Sequence, residues 1–303
     1  MLIVKKDVMT NPNIGFIGLG LMGAARVGRL QSLGYSLTVK GNVSRPRIDA
    51  AVAAGAVEAA TPRELAAASD IVMLCMDTSA SVESRMRGED GVIAGLKPGT
   101  IVIDFGTSLP GSTKALGEEL AAVGCTYLDG PLGRTPAHAV DGLLNIMCSG
   151  DKDAFEKVRP TLEDLGENVF HLGELGSGHT IKLINNFFGM TTANAMAEAF
   201  AMADQAGVSR QGLYDVMSAG PLRSGMMDFV KGYAVDGDAS QLAFSIRNAS
   251  KDVGYYRNMA DDLGAKTLMS AGAATALSTA TEEGQGDNMV SERVDFFAKR
   301  STD

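Results

Sequence analysis

The sequence predicts a doubly wound α/β domain followed by an all-α domain, with a long helix joining them. Three observations carry this reading. Over the first 172 residues, short β-rich runs alternate with Ala/Leu-rich runs of helical length, as in a parallel sheet covered by helices. The run Asp70–Cys75, DIVMLC, is nearly all apolar, as a strand must be when helices cover both of its faces. Beyond His171, β-rich runs become scarce and glycines punctuate helical segments instead.

In chain order, strands are expected at Asn13–Ile17, Ser36–Lys40, Ile71–Met76, Ile101–Phe105, Thr126–Asp129, Leu143–Cys148 and Asn168–Leu172. Helices are expected between them at Leu21–Leu33, Arg45–Ala54, Pro62–Ala68, Pro110–Val123 and Lys152–Leu165. The stretch GELGSG, Gly173–Gly178, reads as a hinge, and His179–Ala206 can form one helix of about seven or eight turns. Helical segments follow at Arg210–Ser218, Gly225–Tyr233, Arg247–Leu263, Thr267–Glu283 and Met289–Lys299, separated by Gly207, Gly220, Gly237, Gly264 and Gly284–Gly286. The domains are therefore expected at residues 1–175 and 176–303.

Composition agrees with two packed domains. At roughly 150 residues each, 303 residues make two units able to bury a core. Apolar residues at 45% exclude a wholly disordered chain. The formal charge of −9 offers no footprint for nucleic acid or acidic membranes. Cys75, Cys125 and Cys148 make no CxxC pair, and His138, His171 and His179 have no ligand spacing, so neither a disulfide framework nor a metal site is expected. Without a signal-like apolar segment or a span-length apolar stretch, a cytoplasmic protein is expected.

The first motif with a mechanism is NIGFIGLGLMG, Asn13–Gly23. A strand runs into Gly18-x-Gly20-x-x-Gly23 and a helix follows, the Rossmann-type arrangement. Gly18 permits the tight turn, Gly20 lets backbone approach a pyrophosphate at the helix N-terminus, and Gly23 lets helix and strand pack closely. Leu21 and Met22 belong to the same cofactor loop. An NAD site usually carries an acid on the second strand for the ribose 2′-hydroxyl. Here no Asp or Glu occurs from Asn13 to Ile48, whereas Lys40, Asn42, Ser44 and Arg45 would receive a 2′-phosphate. NADP is expected in preference to NAD. Met76, Asp77 and Thr107 follow strand ends, where open α/β sheets bind ligands, and are expected to line the nicotinamide-ribose pocket.

Four ordered blocks resemble the β-hydroxyacid dehydrogenase family, which includes 3-hydroxyisobutyrate dehydrogenases and tartronate semialdehyde reductases, with imine reductases more distant. They are GFIGLGLMG (Gly15–Gly23), LDGPLGRTPAHAVDG (Leu128–Gly142), GSGHTIKLINN (Gly176–Asn186) and FSIRNASKDVG (Phe244–Gly254). The second block carries Gly133-Arg134-Thr135 where the family usually has Ser-Gly-Gly, which looks like the sulfolactaldehyde reductase branch.

Lys182 and Asn186, four apart, lie on one helix face. A lysine ammonium can protonate the alkoxide left by hydride addition to an aldehyde, and an asparagine N–H can orient the same oxygen. The resemblance implies these catalytic roles, substrate contact for Asn185, and a reach of Lys251 towards cofactor and substrate. Arg134 offers a planar fork suited to a carboxylate or sulfonate, Thr135 and helix-start N–H groups add donors, and Gly133 would leave room for a bulky head group. The expected activity is hydride transfer between NAD(P)H and a short anionic aldehyde, sulfolactaldehyde-type substrates being favoured. The alternatives are a 3-hydroxyisobutyrate dehydrogenase, a tartronate semialdehyde reductase, an imine reductase, against which Lys182 argues, or a non-catalytic dinucleotide-binding module. A homo-oligomer, dimer or tetramer, is implied by the resemblance.

Overall fold

The computed structural model describes residues 11–41 and 45–300. The chain divides into two compact units, residues 1–182 and 183–303.

The first unit opens with β1 (Ile14–Ile17), α1 (Leu21–Ser32), β2 (Leu37–Lys40), α2 (Arg45–Ala53), β3 (Val57–Glu58), α3 (Pro62–Ala67) and β4 (Ile71–Leu74). It continues with α4 (Ser79–Met86), α5 (Val92–Gly95), β5 (Ile101–Asp104), α6 (Pro110–Ala122) and β6 (Thr126–Asp129). These strands form a six-stranded parallel sheet in the order β3-β2-β1-β4-β5-β6. This is the dinucleotide-binding order, with its switch point between β1 and β4. The apolar runs are explained by two cores, one on each face. Met73, Ile101 and Ile103 pack with Val27 and Leu30 of α1, while Val72, Leu74 and Val102 pack with Leu65, Val82, Leu116 and Leu120 on the other side. Successive strand residues point to opposite faces, so both parities must be apolar.

Then follow β7 (Leu132–Gly133), α7 (Pro136–Val140), β8 (Leu144–Cys148), α8 (Lys152–Leu165) and β9 (Gly166–His171). The last two of the strands expected in one parallel sheet, β8 and β9, lie outside it. They form a separate three-stranded sheet with β7, in which β7 and β8 are antiparallel and β8 and β9 parallel. Gly130 N–H still bonds the Asp104 carbonyl of β5, the Pro131 carbonyl already accepts Met147 N–H of β8, and an antiparallel bridge between Asp129 and Ser149 links β6 to the end of β8. Elements found beyond those expected from the sequence include β3, which is two residues long, and α4, a serine-rich helix whose N-cap Thr78 accepts from Ser81 N–H.

Helix α9 (Ser177–Gln205) starts in the first unit and continues into the second. The second unit then adds α10 (Arg210–Ser218), α11 (Gly225–Ala234), α12 (Ile246–Asp262), α13 (Met269–Ala280) and α14 (Arg293–Arg300). Ser209, Ser224 and Ser245 cap three of these helices by accepting the N–H three residues on. Phe200 of α9, Met227 and Val230 of α11, Val253 of α12, Leu277 of α13 and Val294 of α14 form its core. No described helix is long and apolar enough to cross a membrane.

One buried side chain in the first unit is costly. Arg26 is fully buried on α1, donates from Nε to Met22 O at 3.2 Å, and stacks over the rings of Phe16 and Phe105. Its Nη1 and Nη2 have no hydrogen-bond partner among the described residues. Burial pulls its pKa below the ordinary arginine value, and the nearby Cys75 thiol and then Asp104 oppose that shift. Replacing a poorly paired buried charge with an apolar chain of similar volume is often stabilising. Arg26→Met is expected to raise Tm in a thermal melt by a few degrees, since about 1 kcal/mol corresponds to roughly 2–4 °C in a unit of this size.

Candidate active site

The glycine turn lies between β1 and α1. Gly18 has φ +98°, and a Cβ there would lie 2.3 Å from the Cys75 carbonyl oxygen. A Cβ on Gly23 would lie 1.9 Å from the Gly18 carbonyl oxygen, so helix and turn touch backbone to backbone. At Gly20 a Cβ would meet open space. Gly20 is also the N-cap of α1; no side chain caps that end, and the first turn carries no acid. Uncapped N–H groups at a helix start beside open space fit a dinucleotide pyrophosphate. Leu21 is exposed and Met22 half-buried in the same turn. Met76 packs towards Gly18, its Sδ 3.1 Å from that Cβ position, and a Cβ on Gly106, the residue before Thr107, would lie 2.9 Å from the Met76 carbonyl oxygen. The strand-end residues Met76 and Thr107 are thus gathered near the turn, and the exposed Asp77 follows Met76.

The second strand brings Lys40 beside this turn, where Gly18 N–H donates to the Lys40 carbonyl. Arg45 begins α2 and donates Nε to Asp49, and Nη1 and Nη2 to the two oxygens of Glu58, each at 2.8 Å. These bonds hold the Glu58 carboxyl below the usual carboxylate range. Glu58 arrives on β3, outside the acid-free sequence window, so the basic loop is partly neutralised in three dimensions. Asn42 and Ser44 lie outside the described residues.

Lys182 sits in the second turn of α9 and donates from Nζ to the Leu132 carbonyl at 2.7 Å. That carbonyl directly precedes Gly133-Arg134-Thr135. Arg134 has φ +76°, the one left-handed non-glycine backbone among the described residues. Its Nη1 donates to Leu143 O at 2.7 Å and pairs with Glu167 at 2.5 Å. Thr135 is the N-cap of α7, and its hydroxyl bonds to His138 Nδ1 at 2.8 Å. The expected space at Gly133 is not there: a Cβ would lie 3.2 Å from the Asn145 Cβ, because β7 pairs closely with β8.

A buried polar cluster lies at the start of α9. The Asp129 carboxylate accepts the N–H groups of Gly176 at 2.8 Å and His179 at 2.7 Å, and the Ser149 hydroxyl also donates to it. Ser149 Oγ accepts Gly178 N–H at 2.9 Å. The buried His179 ring bonds Thr113 Oγ1 through Nδ1 at 2.7 Å. Among the described residues, no group of three or more His, Cys, Asp or Glu could hold a metal ion.

In the second unit, Asn186 is buried on α9 and donates from Nδ2 to Asp252 at 2.6 Å. Asn185, more exposed, donates to Asn186 Oδ1 at 3.2 Å. Lys251 pairs with the other oxygen of Asp252 at 2.9 Å and lies over the Tyr255 ring. Asn186, Asp252 and Lys251 therefore form one connected polar chain between α9 and α12.

Residues 13–173 match the family model for the NAD binding domain of 6-phosphogluconate dehydrogenase. Residues 176–297 match the NAD-binding model of NADP-dependent 3-hydroxyisobutyrate dehydrogenase. The chain belongs to the β-hydroxyacid dehydrogenase family. Members of this family are NAD(P)-dependent oxidoreductases acting on CH–OH groups. The chain is 35% identical over 204 residues to an NAD-dependent L-serine dehydrogenase of Pseudomonas aeruginosa, covering 67% of this chain and 68% of the relative. It is 27% identical over 282 residues to glyoxylate/succinic semialdehyde reductase 2 of Arabidopsis thaliana, covering 93% and 78%. The solved structure of Psf3 with NADP+ and 2-OPP matches with a TM-score of 0.83 at 27% identity, covering 93% of this chain and 99% of that one.

For this β-hydroxyacid dehydrogenase, sequence reading missed Asp129, Ser149, Asp252 and Glu58. Asp129 ends an apolar strand just before Gly-Pro, which is a usable signal for a strand-end carboxylate. Ser149 and Glu58 carry no such signal, since only the second sheet and the β2–β3 pairing bring them in.

Proposed function

We propose that the protein reduces a three- or four-carbon aldehyde with an anionic tail, using NADPH, with sulfolactaldehyde-type substrates favoured and tartronate or methylmalonate semialdehyde as alternatives. The observation that carries this reading is Lys182, aimed by the Leu132 carbonyl at the segment bearing Arg134. When bound, the cofactor supplies the hydride. Leu132 engages one of the three N–H donors of the Lys182 ammonium and so fixes its direction. Lys182 then gives its proton to the substrate oxygen as negative charge develops there. Asn186, one turn further along α9 and itself held by Asp252, orients the same oxygen.

Arg134 supports the anionic tail. A non-glycine residue in the left-handed region costs of order 1–3 kcal/mol, persists where its surroundings fix it, and such residues cluster at functional sites. The usual family residue at this position is glycine, which has no such cost. Arginine stands here against a backbone penalty, and its fork suits a carboxylate or sulfonate. An anionic tail would compete with Glu167 for the guanidinium.

Lys40 and Arg45 support NADP. Steady-state kcat/KM measured with NADPH and NADH in parallel is expected to favour NADPH. Glu58→Gln, which removes the two-point partner of Arg45 and leaves Asp49 as its remaining acid, should widen that preference several-fold. A higher kcat/KM with NADH would reject the reading of this loop. The protein is proposed to work in the cytoplasm, where its three free cysteines stay reduced. Exposed Phe188, Met202, Val216, Leu222 and Met269 in the helical unit support a homo-oligomer, which light scattering would resolve as dimer or tetramer.

A further inference from the structure

We infer that Asp129 is a positioning residue: with Ser149 it fixes the first turn of α9, and through that turn the aim of Lys182. This rests on the reading of Lys182 as the proton donor. A helix start leaves up to four N–H groups without intrahelical partners. Here Asp129 accepts those of Gly176 and His179, and Ser149 accepts that of Gly178. The two acceptors are joined by the Ser149 hydroxyl and by backbone bonds in both directions between the residues. Both are fully buried, so these bonds are shielded from water.

The spacing along the chain makes this a two-point attachment. Asp129 binds His179, and three residues further along each of these two segments Leu132 binds Lys182. The same short segment that carries Arg134 therefore holds the helix backbone at one point and the Lys182 ammonium at the next. Gly178 sets how closely the two approach. A Cβ there would lie 2.2 Å from the Met147 carbonyl oxygen and 2.7 Å from the Asp129 carboxylate. Thr113 of α6 pins the helix start from another side through His179. A carboxylate at a helix N-terminus is also favoured by the helix dipole. An asparagine cannot replace it, since its amide nitrogen would face one of the N–H groups and oppose donor to donor.

The test is a double-mutant cycle on the full-length protein. Asp129→Asn is expected to lower kcat about 10²-fold, the size seen when a reacting group is misplaced by about an ångström. NADPH affinity, read by fluorescence titration, should stay within about two-fold, because the glycine turn is untouched. The solvent deuterium isotope effect on kcat should rise, since proton delivery becomes slower relative to other steps. In the Lys182→Ala background, Asp129→Asn should cost nothing further, because Asp129 acts only through Lys182. Equal kcat losses with and without Lys182 would overturn the positioning role, as would parallel loss of NADPH affinity. If Lys182→Ala alone left turnover intact, it is the proton-donor reading that would fall. Should Asp129→Asn not fold, Ser149→Ala removes the Gly178 acceptor and the hydroxyl donor to Asp129 while leaving the carboxylate on Gly176 and His179, and it enters the same cycle with the same expected outcomes.

Discussion

Lys182→Ala is expected to lower kcat for aldehyde reduction by about 10²–10⁴-fold, the range for loss of a positioned general acid. The residue donates to the Leu132 carbonyl from a helix whose start is fastened to β6, so its loss removes an oriented donor and not a mobile surface charge. NADPH affinity should change little, since Gly18, Gly20 and Gly23 form their turn without it. Reduction consumes a proton from the ammonium, and alcohol oxidation returns one to the amine. Turnover within a few-fold of the parent, measured at saturating cofactor, would reject the assignment.

Arg134→Gly is expected to lower kcat/KM for anionic aldehydes roughly 10- to 150-fold, equivalent to losing a charge-assisted contact of about 1.5–3 kcal/mol. Neutral aldehydes such as glyceraldehyde should lose almost nothing. Glycine is the informative replacement because it adopts the φ of +76° without strain, so the variant should be as stable as the parent or more so. Its contacts with Leu143 and Glu167 are partly exposed and contribute little to stability by themselves. Equal losses on anionic and neutral substrates would make Arg134 a structural residue and remove the support for a sulfonate or carboxylate tail.

The sequence reading and the structure part company at definite places. The paired cores on β4 and β5 were legible because each residue of a doubly covered strand must be apolar whichever face it meets. The second sheet was not legible. Leu143–Cys148 and Asn168–Leu172 have the texture of any strand, and nothing local tells a strand which sheet it joins. The Lys182–Asn186 spacing was readable, but their partners Leu132 and Asp252 are 50 and 66 residues distant in sequence.

The local chemistry was therefore readable in the chain: a glycine turn whose three positions each exclude a side chain or leave space, a helix presenting Lys182 and Asn186, and an arginine where glycine is usual. Such features depend on backbone sterics and helical period, which act over a few residues. Tertiary structure alone decided the electrostatic setting of each group. It placed Glu58 on Arg45, Glu167 on Arg134, Asp252 on Asn186, and the Asp129–Ser149 pair on the start of α9. A charge interacts through space with whatever the fold brings within a few ångströms, and those neighbours lie from 13 to 66 residues away along the chain.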